Sequence, residues 1–354
     1  MSGAARILFV ADAGPQVGGG HVMRSLTLAR ALAEHGADCA FLDGPGVAAL
    51  LDAFAPDMPR IATDDLGEAD LLAATGPQAF DAVVLDHYGL SADDHRDVAR
   101  GRPTLVIDDL ADRPLAADLV VDSGPQRRAA DYQGLIPAGA RLLLGAAYAP
   151  VRPEFAALRA QTLGRRPVAV GRILVSLGLT DLGGITGRVL DRLRPRIGQA
   201  AIDVVVGATA PSRAGLQRLA RRDPRLTVHV DTPDMARLTA AADLAVGAAG
   251  SSAWERCTLA LPSVMLVVAD NQRPAATALA EAGAALVVEA DDPAFDQLFD
   301  RAFLRLFANP VARARLAAKC AEVCDGLGAG RVAEALLELL RARQGPSGSA
   351  AEPG

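Results

Sequence analysis

The stretch GPQVGGGHVMRSLTLARAL, residues 14–32, follows the apolar run Ile7-Leu8-Phe9-Val10, and the two together decide the fold. The apolar run reads as a buried strand, and the glycines at 18, 19 and 20 permit a tight turn close to a ligand. Val22, Met23, Leu26, Ala29, Leu32 and Ala33 then recur at helical spacing as far as His35-Gly36. Strand, glycine turn and helix make the opening unit of a nucleotide-binding α/β domain. Its unusual member is His21. This residue falls in the first turn of the helix, beyond a strand end, where open parallel sheets hold their ligands. The helix macrodipole there disfavours an added positive charge, which favours a neutral imidazole able to accept a proton. Packing against the turn is the alternative role; the catalytic one is preferred.

Composition bounds what such a unit can belong to. The 354 residues leave room for two domains with separate cores. They are 51% hydrophobic but only 4% aromatic, so the cores are expected to be Ala, Leu and Val. A net charge of −6 argues against nucleic acid as the main partner. Lys319 is the only lysine, so Schiff-base chemistry would rest on one position. No apolar stretch is long enough to span a bilayer, and the run after Arg6 is too short for a signal peptide. Cys39, Cys257, Cys320 and Cys324 lack metal-type spacing. A soluble, cytoplasmic protein is expected.

Short apolar runs at 7–10, 39–42, 82–85, 104–107, 119–121 and 141–144 alternate with helical patterns such as 91–100. A second series follows at 173–176, 202–206, 226–230, 244–246, 264–268 and 286–288. Alternation of this kind predicts parallel sheets covered on both faces. The expected class is α/β, with two doubly wound Rossmann-like domains facing a central cleft. Residues 1–156 would form the first domain, carrying His21. The arginine-rich segment ALRAQTLGRRPVAVGR, 157–172, reads as a linker and 173–327 as the second domain. A helix at 328–343 would pack back on the first domain, followed by a disordered tail at 344–354.

Unusual residues gather just past the strand ends: 14–21, Asp86-His87-Tyr88-Gly89, Asp108-Asp109, 178–181, 247–255 and 269–272. Six such clusters around a single cleft are hard to ascribe to chance. The segment Gly247-Ala248-Ala249-Gly250-Ser251-Ser252 suits an anion cradle, with Ser251 or Ser252 capping the helix that carries Trp254 and Glu255. It is not a Walker loop, and the glycines at 18–20 lack the GxGxxG spacing. Glu255 could accept hydrogen bonds from ribose hydroxyls or simply be an exposed helix residue. Tyr88 could donate to a sugar or phosphate oxygen, whereas His87 reads as structural and Trp254 as core. His35, His95 and His229 receive no function.

Several motifs together resemble one family. Gly18-Gly19-Gly20-His21-Val22-Met23-Arg24, Asp86-His87-Tyr88-Gly89-Leu90, Asp108-Asp109, Asp131-Tyr132-Gln133-Gly134-Leu135, Gly250-Ser251-Ser252-Ala253-Trp254-Glu255-Arg256-Cys257 and Asp270-Asn271-Gln272 are similar to the signatures of the UDP-2,4-diacetamido-2,4,6-trideoxy-β-L-altropyranose hydrolases of pseudaminic acid biosynthesis. The resemblance implies a GT-B fold like that of the peptidoglycan GlcNAc transferase, and a setting in flagellin glycosylation. It implies a UDP-sugar and water as reactants, with inversion at the anomeric carbon and no cofactor or metal. His21 would be the general base. Asp12, Gly18, Gly19, Gly20, Arg24, Tyr88, Asp181, Asn271 and Gln272 would meet the substrate, and Gly178, Ala249, Gly250, Ser251, Ser252 and Glu255 the UDP. No DxD carboxylate pair for a metal–UDP complex occurs. Val10, Leu179 and Gly184 depart from the family's usual arginine, glycine and asparagine, which bears on the sugar more than on the reaction. The alternatives are a GT-B glycosyltransferase and a non-catalytic nucleotide-sugar binding protein.

Overall fold

The computed structural model describes residues 4–14, 17–62, 80–164 and 168–344. The strands of the first half are β1 (Arg6–Ala11), β2 (Asp38–Asp43), β3 (Arg60–Ala62), β4 (Ala82–Asp86), β5 (Thr104–Ile107), β6 (Leu119–Asp122) and β7 (Arg141–Leu144). Those of the second are β8 (Arg172–Ser176), β9 (Ala201–Val206), β10 (Leu226–Val230), β11 (Leu244–Ala248), β12 (Ser263–Val267) and β13 (Leu286–Glu289). The edge strand β3, Arg-Ile-Ala, is too short to show as an apolar run in the sequence. Strands β4, β5, β6, β11 and β12 are buried along their whole length, as parallel strands covered on both faces must be.

Both sheets are parallel and have equivalent topology. The first runs β3-β2-β1-β4-β5-β6-β7 and the second β10-β9-β8-β11-β12-β13. Strand order therefore reverses between β1 and β4 in one sheet, and between β8 and β11 in the other. Crevices at such reversals are where doubly wound sheets bind ligands. The register Ala11↔Asp86 sets the ends of β1 and β4 level, so the loops leaving them emerge together.

The chain changes halves earlier than the sequence suggests, and then changes back. The segment read as a linker is helical through Leu163, within the helix Pro153–Leu163. Ala146, Ala149, Val151 and Phe155 already belong to the core of the second half. Arg159 fixes this crossing by donating to the carbonyls of Thr258, Ala321 and Cys324. The last helix, Gly328–Gln344, returns and packs on the first helix, Gly20–Glu34. Its Val332, Ala333, Leu336 and Leu340 join Ile7, Phe9, Leu26 and Phe41 in one core. The two crossings touch where Gly328 lies against the Ala149 backbone, and a Cβ at 328 would sit 2.2 Å from the Ala149 carbonyl oxygen. Of the tail read at 344–354, only Gln344 falls within the described residues, and it ends the last helix.

Since Leu336 is fully buried in the first half's core, Leu336→Ala should destabilise that half by about 2–5 kcal/mol. Urea denaturation followed by hydrogen exchange in β1 and β4 checks this, and unchanged protection there would contradict the packing described.

Candidate active site

At the end of β1 the chain makes a small loop in which Gly14 and Gly18 exchange backbone hydrogen bonds, and Gly18 takes φ +78°. The helix that follows begins at Gly20, so His21 sits in its first turn. His21, Arg24 and Ser25 are spaced i, i+3 and i+4 and so share one helix face. All three converge on Asp86, the last residue of β4. His21 Nδ1 lies 2.5 Å from Asp86 Oδ1, and Arg24 forks onto both Asp86 oxygens at 2.6 Å. Ser25 Oγ donates to Oδ2 at 3.3 Å. Arg24 uses its remaining Nη1 on Asp109 Oδ2, 2.6 Å away, and Tyr88 donates to that same oxygen at 2.8 Å. The Tyr88 ring stands edge-on to the His21 ring, with centroids 4.5 Å apart.

Asp86 is completely buried. Burial alone would raise its pKa, but Arg24 and His21 outweigh that cost and hold the carboxyl well below the usual carboxylate range. An ionised Asp86 favours the proton on Nδ1 of His21, and in that neutral tautomer Nε2 carries the lone pair. Asp109 is likewise lowered: burial opposes ionisation, and Arg24 overcomes it. Two carboxylates against one guanidinium leave this cluster with a net negative charge.

This floor belongs to a cleft of about 610 Å³ between the two sheets. Every strand-end cluster read from the sequence contributes to its lining. From the first half come Gly18, Gly19, Gly20, His21, Arg24, Tyr88 and Asp109; from the second come Gly178, Ala249, Gly250, Ser251, Ser252, Glu255, Asn271 and Gln272. The halves meet closely here. A Cβ at Gly20 would stand 3.7 Å from Ser251 Oγ, and one at Gly19 only 3.3 Å from the Leu179 side chain. Tyr88 from the first half and Asn271 from the second both line the cleft.

Other sequence expectations fall elsewhere. Asp181 does not line the cleft: its Oδ1 accepts from the Thr186 backbone at 3.0 Å and from its hydroxyl at 2.7 Å, tying down the next helix. Asp12 is also off the lining, with its Oδ1 3.8 Å from His87 Nε2. Neither Ser251 nor Ser252 caps the helix Ser252–Thr258 through its side chain. Ser251 has helical backbone angles (φ −53°, ψ −29°) instead of the extended ones a capping residue needs, and Ser252 Oγ accepts from Arg256. Glu255 is neither exposed nor free, because Arg152 holds its Oε1 at 2.8 Å. Sequence reasoning names Asp86 and Asp109 only within clusters and passes over Arg127 and Arg152, which also line the cleft. The available signal for Asp86 is a carboxylate ending an otherwise apolar strand, opposite a His-x-x-Arg-Ser helix face.

Replacing Asp86 with Asn should cost about 3 kcal/mol of stability, since it removes the charge that balances buried Arg24. A depressed native pKa also fixes the sign of the acid response. The stabilisation from Asp86 is complete above the ordinary carboxylate range near ~4 and is lost as pH falls below it. Denaturation midpoints between pH 7 and 3 should fall less steeply for Asp86→Asn than for the unaltered chain.

No protein-family model matches the chain. It is similar to the UDP-2,4-diacetamido-2,4,6-trideoxy-β-L-altropyranose hydrolase of Campylobacter jejuni, at 24% identity over 280 residues, 78% of this chain and 97% of that protein. It is also similar to the spore coat polysaccharide biosynthesis protein SpsG of Bacillus subtilis, at 30% identity over 149 residues, 41% of this chain and 43% of that one. Among solved structures, MurG of Acinetobacter baumannii superposes with a TM-score of 0.65 at 19% identity, covering 94% of this chain and 99% of its own. With two doubly wound domains facing one cleft, the chain has the GT-B fold.

Proposed function

We propose that the chain processes a UDP-sugar, and that it does so as a hydrolase. It would release UDP from UDP-2,4-diacetamido-2,4,6-trideoxy-β-L-altropyranose or a close relative by inverting attack of water at the anomeric carbon. The observation that carries this reading is His21 lining the cleft with buried Asp86 bonded behind it. With Nδ1–H held by Asp86, His21 Nε2 takes a proton from water as its oxygen bonds to the anomeric carbon and the bond to UDP breaks. The imidazolium so formed offsets the net negative charge of Asp86, Arg24 and Asp109. Tyr88 and Asn271, which line the cleft from opposite halves, would hold the sugar between them. Ala249, Gly250, Ser251 and Ser252 would receive the diphosphate, and the free oxygen of Glu255 the ribose. The likeness to the Campylobacter hydrolase along 97% of its length supports this assignment. Glycosyl transfer is the second reading, favoured by the apolar Val17, Met23 and Phe54 along the first-half wall, which suit an acceptor.

Incubation with a panel of UDP-sugars in plain buffer separates the two. Hydrolysis predicts UDP release without any acceptor; release only on adding a sugar or lipid acceptor would assign transfer. His21→Asn should lower turnover by ~10²–10⁴ while leaving UDP binding nearly unchanged. Equal losses of both would remove His21 from the chemistry.

Chelation offers an independent check. Among the described residues no group of three or more His, Cys, Asp or Glu is arranged to hold a metal ion. UDP release should therefore be nearly the same with EDTA as without, and a loss restored by Mg²⁺ or Mn²⁺ would refute the metal-free route.

A further inference from the structure

Arg256 lies behind the 247–252 segment and is 2% exposed. Its Nη2 donates to the Ala248 carbonyl at 2.7 Å and its Nη1 to Ser252 Oγ at 3.0 Å, while Nε has no partner. Among the described residues it makes no ion pair with a carboxylate. The other two arginines buried among the described residues are held differently: Arg24 by two carboxylates, and Arg313 by several backbone carbonyls. Space has been kept for the Arg256 guanidinium, since a Cβ on Gly247 would come within 2.4 Å of its Nη1. Burial lowers its proton affinity, with partial relief from Glu255, yet a guanidinium stays charged at any ordinary pH. A buried cation without a counter-ion is costly unless an anion joins it.

Resting on the reading that UDP binds the second half, we infer that Arg256 is a buried counter-charge whose anion is the ligand's diphosphate. Ser252 is the link between them. Its oxygen accepts from Arg256, so its hydroxyl proton is free to be donated into the cleft that Ser252 lines. Arg256 thereby positions and polarises Ser252 without touching the ligand. Gly247 serves the same device by leaving the guanidinium room to reach that hydroxyl.

The test compares binding of UDP, UMP and uridine by calorimetry, alongside the melting temperature of the ligand-free protein. R256M should weaken UDP about ten-fold or more, UMP less and uridine hardly at all, without lowering the ligand-free melting temperature. R256K should recover part of the UDP affinity. G247A, which leaves Arg256 in place but displaces its guanidinium, should reproduce the same ranking and serves if R256M does not fold. Equal weakening of all three ligands, or none, would overturn the inference and leave Arg256 a loop-shaping residue. Should the unaltered protein bind no UDP, the uridine reading fails separately, and inorganic pyrophosphate becomes the probe. Pyrophosphate binding lost in R256M and G247A would still sustain the counter-charge; no pyrophosphate binding by the unaltered protein would end it.

Discussion

A carboxylate buried at the end of a sheet strand must be fully hydrogen-bonded or it destabilises everything around it. Asp86 meets that demand by drawing His21, Arg24 and Ser25 from a single helix face onto the end of β4. That one interaction fixes the angle at which the first helix leaves the glycine turn, and hence where the imidazole stands. It also selects the tautomer, since Nδ1 faces a carboxylate. Arg24 then extends the constraint to Asp109 at the end of β5, and Asp109 to Tyr88. The cleft floor is a chain of buried and half-buried polar groups in which each member orients the next.

The opposing wall is assembled differently. It depends on small residues and on backbone close approach, with charge kept behind it in Arg256 or tied off in the Arg152–Glu255 pair. The floor is thus rich in carboxylates and the facing wall poor in them.

Much of this was legible in the sequence because the signals were local. Glycines beside His21, apolar runs of strand length and strand-end clusters depend on residues near one another, and the parallel sheets follow from their alternation. Contacts that span the chain were not. The Asp86–His21 bond joins residues 65 apart, so nothing in the spacing of either motif announces it. Asp181 reads as a site residue by position, but a hydroxyl five residues on claims its side chain. The segment 157–172 reads as a linker because of its arginines, glycines and proline, yet it is helical through Leu163. Its helical form is imposed by the second half's core, which takes up Phe155, and by the carbonyls that Arg159 satisfies.

The last helix carries a consequence for biosynthesis. Its apolar face completes the core formed by β1, β2 and the first helix, so the first half is an unfinished object while the chain is still being made. Domains that emerge first ordinarily fold first during translation. Here the second half, which holds its own core from Ala146 onward, is able to close before the first has received its final layer. A ribosome-bound chain without residues 328–344 would expose the apolar face that the first helix presents to the last one, a surface suited to chaperone capture until that segment arrives to cover it.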